Sequence, residues 1–479
     1  MEPALLSAAF CERENRRLFE KAGNDASRPR YHFVPPAMWM NDVNGALEAD
    51  GWYHLFYLHD PFQADGESPA VMPSGLEIPG KRRPNRVWGH AVTRDFVNWE
   101  YLPPALVPRR DKGEIKAISG SCVLLPNGTP LIMYTSVQED ADKAGQWAAL
   151  GDKALLSFCQ QGEAPVIRRD QPGGPCLDTG FRDPFLFFQK GMLYAAVAGL
   201  YTQEGEERAG IHLYKAQGEG FGAWRYLGML IGSPVAQTPY YECPKLFPVD
   251  SRWVLVYSPY GPPRYVTGLL DAENCRFEPL YEGRLDETDN AYATVNLNGL
   301  NGLAYLMSWI PGWHSQHHPG MLWGGCLSLP REVSLNEKGA LFQRPARQVR
   351  ELAGAPVTAY GGMEIRDTGF CLSVDHVPAG FRLEIASQQE TAFAAEWDGA
   401  GFYINGERLA VTPEGGFQLY WDVCVWEVFI GSGAHCITGM RDRPLQTARL
   451  SLRGNAEVLF FSMRAGSCGY DVPNGYLRR

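Results

Sequence analysis

The sequence predicts an all-β protein, and three observations carry that prediction. Short runs rich in aromatic and β-branched residues recur, among them WYHLFYL (52–58), SCVLLPNGTPLIMYTS (121–136), PFLFFQKGMLYAAVAG (184–199), LFPVDSRWVLVYSP (246–259) and LAYLMSW (303–309). Such residues fit a pleated, half-buried surface. Most runs are paired through Gly, Asn or Asp, as antiparallel hairpins require. Long amphipathic helices are scarce. Many even strands point to a sandwich, a barrel or a propeller. The 479 residues exceed what a single hydrophobic core usually serves, so two domains are expected.

Taken in order, residues 1–27 open with MEPALLSAAFCERENRRLFEKAG. The apolar piece is short and charges follow at once, so it does not read as a secretory signal. It reads as an amphipathic helix with Leu18 and Phe19 docked on the body. Residues 28–342 hold the first set of strands. Residues 343–358 are polar and helix-compatible and read as a linker. Residues 359–479 return to strands, with alternation in RLEIAS and LSVDHV that fits sheets buried on one face. A β-sandwich is expected there.

The stretch around which the first domain is organised is RYHFVPPAMWMNDVNG (30–45). It reads as a strand running into a polar turn, because Asn, Asp and Gly tolerate turn geometry and bond locally to the backbone. Alone, Asn41-Asp42 is an ordinary hairpin turn. Two further acids stand at FRDP (181–184) and ECP (242–244). Alone, Asp183 reads as half of a structural ion pair and Glu242 as a solvated strand carboxylate. Asp42 and Asp183 lie 141 residues apart, and Asp183 and Glu242 lie 59 apart. A four-stranded propeller blade takes about 40–50 residues. The acids therefore fall near corresponding places two blades and one blade apart, where innermost strands converge on an axis.

WMNDVNG, FRDP and ECP, in that order, resemble the signatures of glycoside hydrolase family 32, the invertases, inulinases, levanases and sucrose-6-phosphate hydrolases. The resemblance implies a five-bladed β-propeller with a funnel at its axis, followed by a β-sandwich; DVCVWEVFI (422–430) is similar to a sandwich segment of the family, without its serine. It implies Asp42 as nucleophile, Glu242 as acid/base and Asp183 as stabiliser of the transition state, with Arg182 holding a sugar hydroxyl. It also places Asn41, Trp88 in VWGHA, Ser119 in ISGS, and Trp309 and Trp313 in MSWIPGW at the substrate. For the tryptophans, simple core packing is the competing reading. Asp289–Ala293 resembles a late family element read as mainly structural.

Retaining hydrolysis of a glycoside needs two carboxyl groups about 5–5.5 Å apart, one ionised for attack and one protonated for departure. Donors from Asn41, Asn44 and turn amides are expected to keep the Asp42 pKa low. Partial desolvation between Tyr240-Tyr241 and Cys243-Pro244 is expected to raise that of Glu242. The expected activity is release of terminal β-D-fructofuranosyl units from sucrose or short fructooligosaccharides. A transfructosylase, an inverting furanosidase and a non-catalytic sugar-binding module are the rival readings.

Departures from the family pattern bear on specificity. Val43 replaces the signature proline, and Leu58 replaces a glutamine that would bond substrate, with His59 or Asp60 as candidates to compensate. Residues 63–86 form an insertion whose Lys81, Arg82, Arg83 and Arg86 read either as a solvated loop or as a grip on a phosphorylated sugar. His314, His317 and His318 have a metal-like spacing, but no carboxylate is near in sequence and the resemblance implies no metal and no cofactor. The net charge of −10 argues against nucleic acid, and no apolar run is long enough for a membrane span. Eleven scattered cysteines without a CxxC pair suit reduced thiols in a cytoplasm. Oligomeric state, a homo-oligomer included, is not legible.

Overall fold

The computed structural model describes residues 6–62, 86–174, 180–218, 221–298, 302–311, 322–387, 390–445 and 447–470. Five antiparallel sheets succeed one another along the chain. Their first strands are Met38–Ala49, Glu114–Leu124, Arg182–Gln189, Glu242–Val249 and Tyr292–Asn298. Each of these touches the next and the fifth touches the first, which closes a ring around an axis. The sheets are thus five blades of a propeller. The aromatic and branched side chains of neighbouring blades fill the space between them, for example Phe56, Trp88, Tyr134 and Trp147 between the first and second.

Two six-stranded antiparallel sheets follow, one centred on Gly369–Val374 and Phe417–Asp422, the other on Phe381–Ala386 and Ala448–Arg453. Their inner faces share one apolar core that includes Phe370, Leu383, Phe393, Trp421 and Leu450. This is the β-sandwich.

Residues 343–358, expected to be a polar linker, do more. Leu341–Pro345 is the outer strand of the fifth blade, and Val357–Thr358 pairs with a sandwich strand. Between them Ala346, Val349 and Leu352 share one side of the chain and are buried. They join a cluster that holds Tyr305 of the propeller and Tyr420 and Phe429 of the sandwich. The connection is a packed seam, because its few apolar residues recur at spacing three and face inward together.

Under this seam lies a buried ionic network. Arg331 of the fifth blade reaches Glu427 of the sandwich at 2.7 Å and Asp286 at 3.1 Å. His32 lies 2.9 Å from Asp422 and 3.0 Å from Glu427. Asp422 also accepts the backbone N–H groups of Arg30, Tyr31 and His32 at 2.8–2.9 Å. The two acids of the DVCVWE segment therefore hold the chain just upstream of the first blade.

Both ends of the described chain return to that blade. The helix Ala8–Gly23 is capped by Ser7, buries Leu18, and sets Phe19 edge-on against Tyr101 and Tyr470. The strand Ser467–Gly469 adds in parallel to Asn98–Glu100 on the blade's outer edge. It enters through Gly466, where a Cβ would lie 2.1 Å from the Val97 carbonyl oxygen, so only glycine fits.

Candidate active site

The site begins with a shared irregularity. The first strand of every blade carries a bulge at its axial end: at Asn41-Asp42 opposite Leu58, at Ser119, at Asp183-Pro184, at Cys243-Pro244 and at Ala293-Thr294. Asp183, Cys243 and Ala293 adopt positive φ angles of 62°, 49° and 45°. A bulge inserts one residue and re-aims the side chains around it. Polar residues that strict alternation would send between the blades are turned toward the axis instead. In the second blade the bulge is followed by Gly120, where a Cβ would sit 2.0 Å from Met133 O.

Asp42, Asp183 and Glu242 meet Asn41, Ser119 and Arg182 around one cavity of about 470 Å³. Ser119 Oγ donates to Asp42 Oδ2 at 2.8 Å, and the Cys243 thiol lies 3.6 Å from the same oxygen. Cys243 N donates to Asp183 Oδ2 at 3.0 Å. Arg182 donates to Glu242 Oε1 at 2.5 Å, and its Nε stands 3.7 Å from Asp183 Oδ2. The Tyr292 hydroxyl donates to the other oxygen of Glu242. Backbone and side chains from different blades thus chain the three acids together, with Cys243 the link between Asp42 and Asp183.

Burial is the largest influence on each titrating acid. It raises Glu242 to about 7; the charge of Asp183 adds to this, while Arg182 and the Tyr292 hydrogen bond oppose it. Asp42 is also raised above the usual carboxylate range by burial and by Asp183, against the pull of Ser119, Arg86 and Cys243. The expected low pKa of Asp42 does not follow, because the predicted donors are otherwise engaged. Asn41 Oδ1 accepts the Asp42 N–H at 2.5 Å. Asn44 is fully buried and its amide oxygen faces Leu58 N and Trp88 Nε1.

That contact also corrects Trp88. Its side chain is fully buried between blades and does not reach the cavity; its indole N–H points at the first-blade bulge and at Ile118 O, 3.3 Å away. Trp88 braces the floor under Asp42 and Ser119. Trp309 does border the cavity, though only 2 % exposed, with Trp39 edge-on behind it at 6.2 Å. Trp313, His314, His317, His318, Lys81, Arg82 and Arg83 lie outside the described residues.

Leu58 borders the cavity where the family pattern has glutamine, and neither proposed substitute helps. His59 is buried behind it, 2.9 Å from Trp39 O and 3.0 Å from Asn15 Oδ1, and Asp60 accepts the Phe62 N–H. The polar group that does arrive is Arg86, which borders the cavity with its guanidinium over the Trp39 ring at 4.8 Å. Two tyrosines complete the wall: Tyr292, on Glu242, from the element read in the sequence as mainly structural, and Tyr260, unmarked in the sequence, whose hydroxyl accepts from Arg182 at 2.6 Å.

A five-bladed propeller joined to a sandwich, with carboxylates gathered in one axial pocket, defines a class of carbohydrate-cleaving fold. The chain belongs to glycosyl hydrolase family 32: the model of that family's N-terminal domain matches residues 32–71 and 76–345. It is similar to the sucrose-6-phosphate hydrolase of Escherichia coli, 27% identical over 467 residues that cover 87% of this chain and 89% of the relative. In fold it is similar to a beta-fructofuranosidase of Bombyx mori, with a TM-score of 0.78, 23% identity and coverage of 95% and 99% of the two chains. It is also similar to the sucrose-6-phosphate hydrolase of Lactobacillus gasseri, with a TM-score of 0.77, 22% identity and coverage of 95% and 96%.

Proposed function

We propose that the chain is a retaining β-fructofuranosidase that releases terminal β-D-fructofuranosyl units from sucrose and short fructooligosaccharides. One observation carries this reading: Glu242 is held near neutrality in the same pocket as Asp42, so it keeps a proton that it can give and take back. In the first half-reaction the Glu242 carboxyl protonates the glycosidic oxygen while Asp42 Oδ attacks C2. The aglycone leaves as an alcohol and a fructosyl ester remains on Asp42. In the second half-reaction Glu242, now a carboxylate, takes a proton from water. The hydroxide oxygen attacks C2, fructose departs, and Asp42 is restored. Asp183 and Arg182 hold ring hydroxyls as positive charge builds at C2. No cofactor enters either half. The ten described cysteines are free thiols, which suits the cytoplasmic setting expected from the sequence.

The test is the first-formed anomer from sucrose, followed by NMR. Initial β-D-fructofuranose supports retention by Asp42; initial α-anomer, or no cleavage of sucrose, kestose or sucrose 6-phosphate, overturns it. Oligomers in place of free fructose at high sucrose would make transfer the main reaction.

Arg86 favours a second reading of the substrate. It stands on the cavity wall, and Lys116, whose pKa is lowered by burial and then by the charge of Arg86, lies near it. A phosphorylated aglycone would relieve that repulsion. The relatives from E. coli and L. gasseri carry the name sucrose-6-phosphate hydrolase. If the reading holds, Arg86→Ala lowers kcat/KM for sucrose 6-phosphate about tenfold or more relative to sucrose; an unchanged ratio rejects it.

A further inference from the structure

Lys245 is fully buried, two residues beyond Cys243 on the innermost strand of the fourth blade. Its ammonium donates to Gly120 O at 3.2 Å, on the innermost strand of the second blade. Those two strands are not neighbours in the ring, because the innermost strand of the third blade stands between them. The side chain therefore crosses the axis. On its way it passes the Phe185 ring of the third blade, with Nζ 5.5 Å from the centroid. The pocket of the three acids opens on one side of this crossing. On the other lies a second cavity of about 390 Å³, lined from all five blades by residues that include Glu48, Leu124, Phe187, Phe247 and Asn298. Along the lysine's own strand Glu242 borders the first cavity and Leu246 the second. Lys245 is the floor between them.

A buried ammonium is costly unless it is paired. Among the described residues no carboxylate stands within ion-pair distance of Lys245, and its hydrogen bond is to a neutral carbonyl. A methionine of similar length would fill the space without that cost. Burial lowers the Lys245 pKa, and Cys243, Asp183 and Asp42 oppose it. The Cys243 thiol, on the lysine's own strand, is itself pushed well up by burial and stays neutral. That leaves two carboxylates, Asp42 from the first blade and Asp183 from the third. The second blade faces the ammonium with Gly120 O, and Glu242 is held on the pocket wall by Arg182 and by Tyr292 of the fifth blade. Asp42 meets Asp183, Ser119, Arg86 and Cys243, and the charge of Asp183 works against its ionisation. A cation that both acids favour favours both acids as anions in return.

We propose that Lys245 is a positioning residue of the site: its ammonium is the counter-charge beneath the pocket that lets Asp42 and Asp183 stand together as anions while Glu242 keeps its proton. The inference rests on the fructosidase reading above and goes beyond it, since Lys245 acts through the acids and touches no substrate.

The test is the pH profile of kcat/KM for sucrose in the native enzyme, in Lys245→Met and in Lys245→Gln. Both variants remove the charge, and Gln keeps an N–H for Gly120 O. The acid limb, where Asp42 gains its proton, is expected to move up by about 0.5–1 in pH in both, which lowers kcat/KM about three- to tenfold at a pH on that limb. The urea midpoint is expected to hold or rise, because a buried charge without a close partner is removed. An acid limb that stays in place in Lys245→Met overturns the proposal. So does a limb that moves in Lys245→Met and returns in Lys245→Gln, since the hydrogen bond and not the charge would then matter. If Lys245→Met unfolds early, Lys245→Gln carries the comparison, and an unmoved limb there is equally fatal. A native enzyme that cleaves no fructoside removes the fructosidase reading, and this inference with it; that result is read on the native protein alone and is distinct from an unmoved limb.

Discussion

Among the described residues, one group of three carboxylates at the domain seam and one at the propeller axis each include an arginine partner. At the propeller–sandwich seam Asp286, Asp422 and Glu427 surround Arg331 and His32; at the axis Asp183 and Glu242 flank Arg182, with Asp42 in the same pocket. Burial pushes Glu427 up, but Arg331 and His32 outweigh it and leave that acid below its ordinary range. Burial pushes Glu242 up as well, and there Asp183 adds to the push, so the acid settles near 7. The seam gives Glu427 two cations and a backbone donor from Leu329. The pocket gives Glu242 one cation that it must share with Asp183. A carboxylate becomes a proton carrier where burial exceeds pairing, and a structural tie where pairing exceeds burial.

That contrast can be broken at either end. The largest effect is expected in the pocket. Glu242→Gln should lower kcat on sucrose by about 10²–10⁴-fold, and Asp42→Asn by at least as much, while the melting temperature of either variant holds or rises, because an underpaired buried charge is removed. Loss of stability in place of loss of turnover would place these acids in the structural class.

At the seam the outcome should be reversed. Glu427→Gln leaves Arg331 without its main counter-charge and should cost about 3–5 kcal/mol in urea unfolding, with KM for sucrose unchanged in the folded fraction. The seam also predicts a pH effect on stability. Burial lowers the His32 pKa, but Asp422 and Glu427 outweigh it and raise it from 6.5 to about 9. The stabilisation from its protonated form is therefore complete below pH 6.5 and lost as pH rises through about 9. Melting curves of the native protein should decline over that window, and His32→Gln should flatten the decline.

Smaller shifts sharpen the comparison within the pocket. The rate of the native enzyme should fall as pH rises through about 7, where Glu242 loses its proton, and fall on the acid side where Asp42 gains one. Ser119→Ala removes a donor to the Asp42 carboxylate, which favours its protonated form. The acid limb should move to higher pH, with a cost of about 1 kcal/mol in kcat/KM at neutral pH.

The acids were legible through WMNDVNG, FRDP and ECP standing in order, a resemblance that no one of the three carries by its local composition. The number of residues between them already matched blades one, three and four. Trp88 was placed at the substrate by the resemblance of its VWGHA segment, and its indole is buried between blades instead. Along the innermost strands each bulge shifts the alternation of faces by one. Asn44 consequently faces the scaffold while Asn41 and Asp42 face the axis. Tyr260 went unmarked, and Tyr292 was read only as part of a structural element, because their role comes from contacts across blades, with Arg182 and with Glu242, that no local pattern encodes. The seam between domains was hidden in the same way: Ala346, Val349 and Leu352 are too few to look like a core until Tyr305 and Tyr420 close over them.

The parallel strand Ser467–Gly469, laid along the outer edge of the Asp42 blade, bears on how the protein is made. During synthesis that blade leaves the ribosome before any other, yet its rim waits for a segment more than 350 residues downstream, at the far end of the described chain. Translation can begin the catalytic wheel early, but only once residues 467–469 have emerged can the rim be sewn shut.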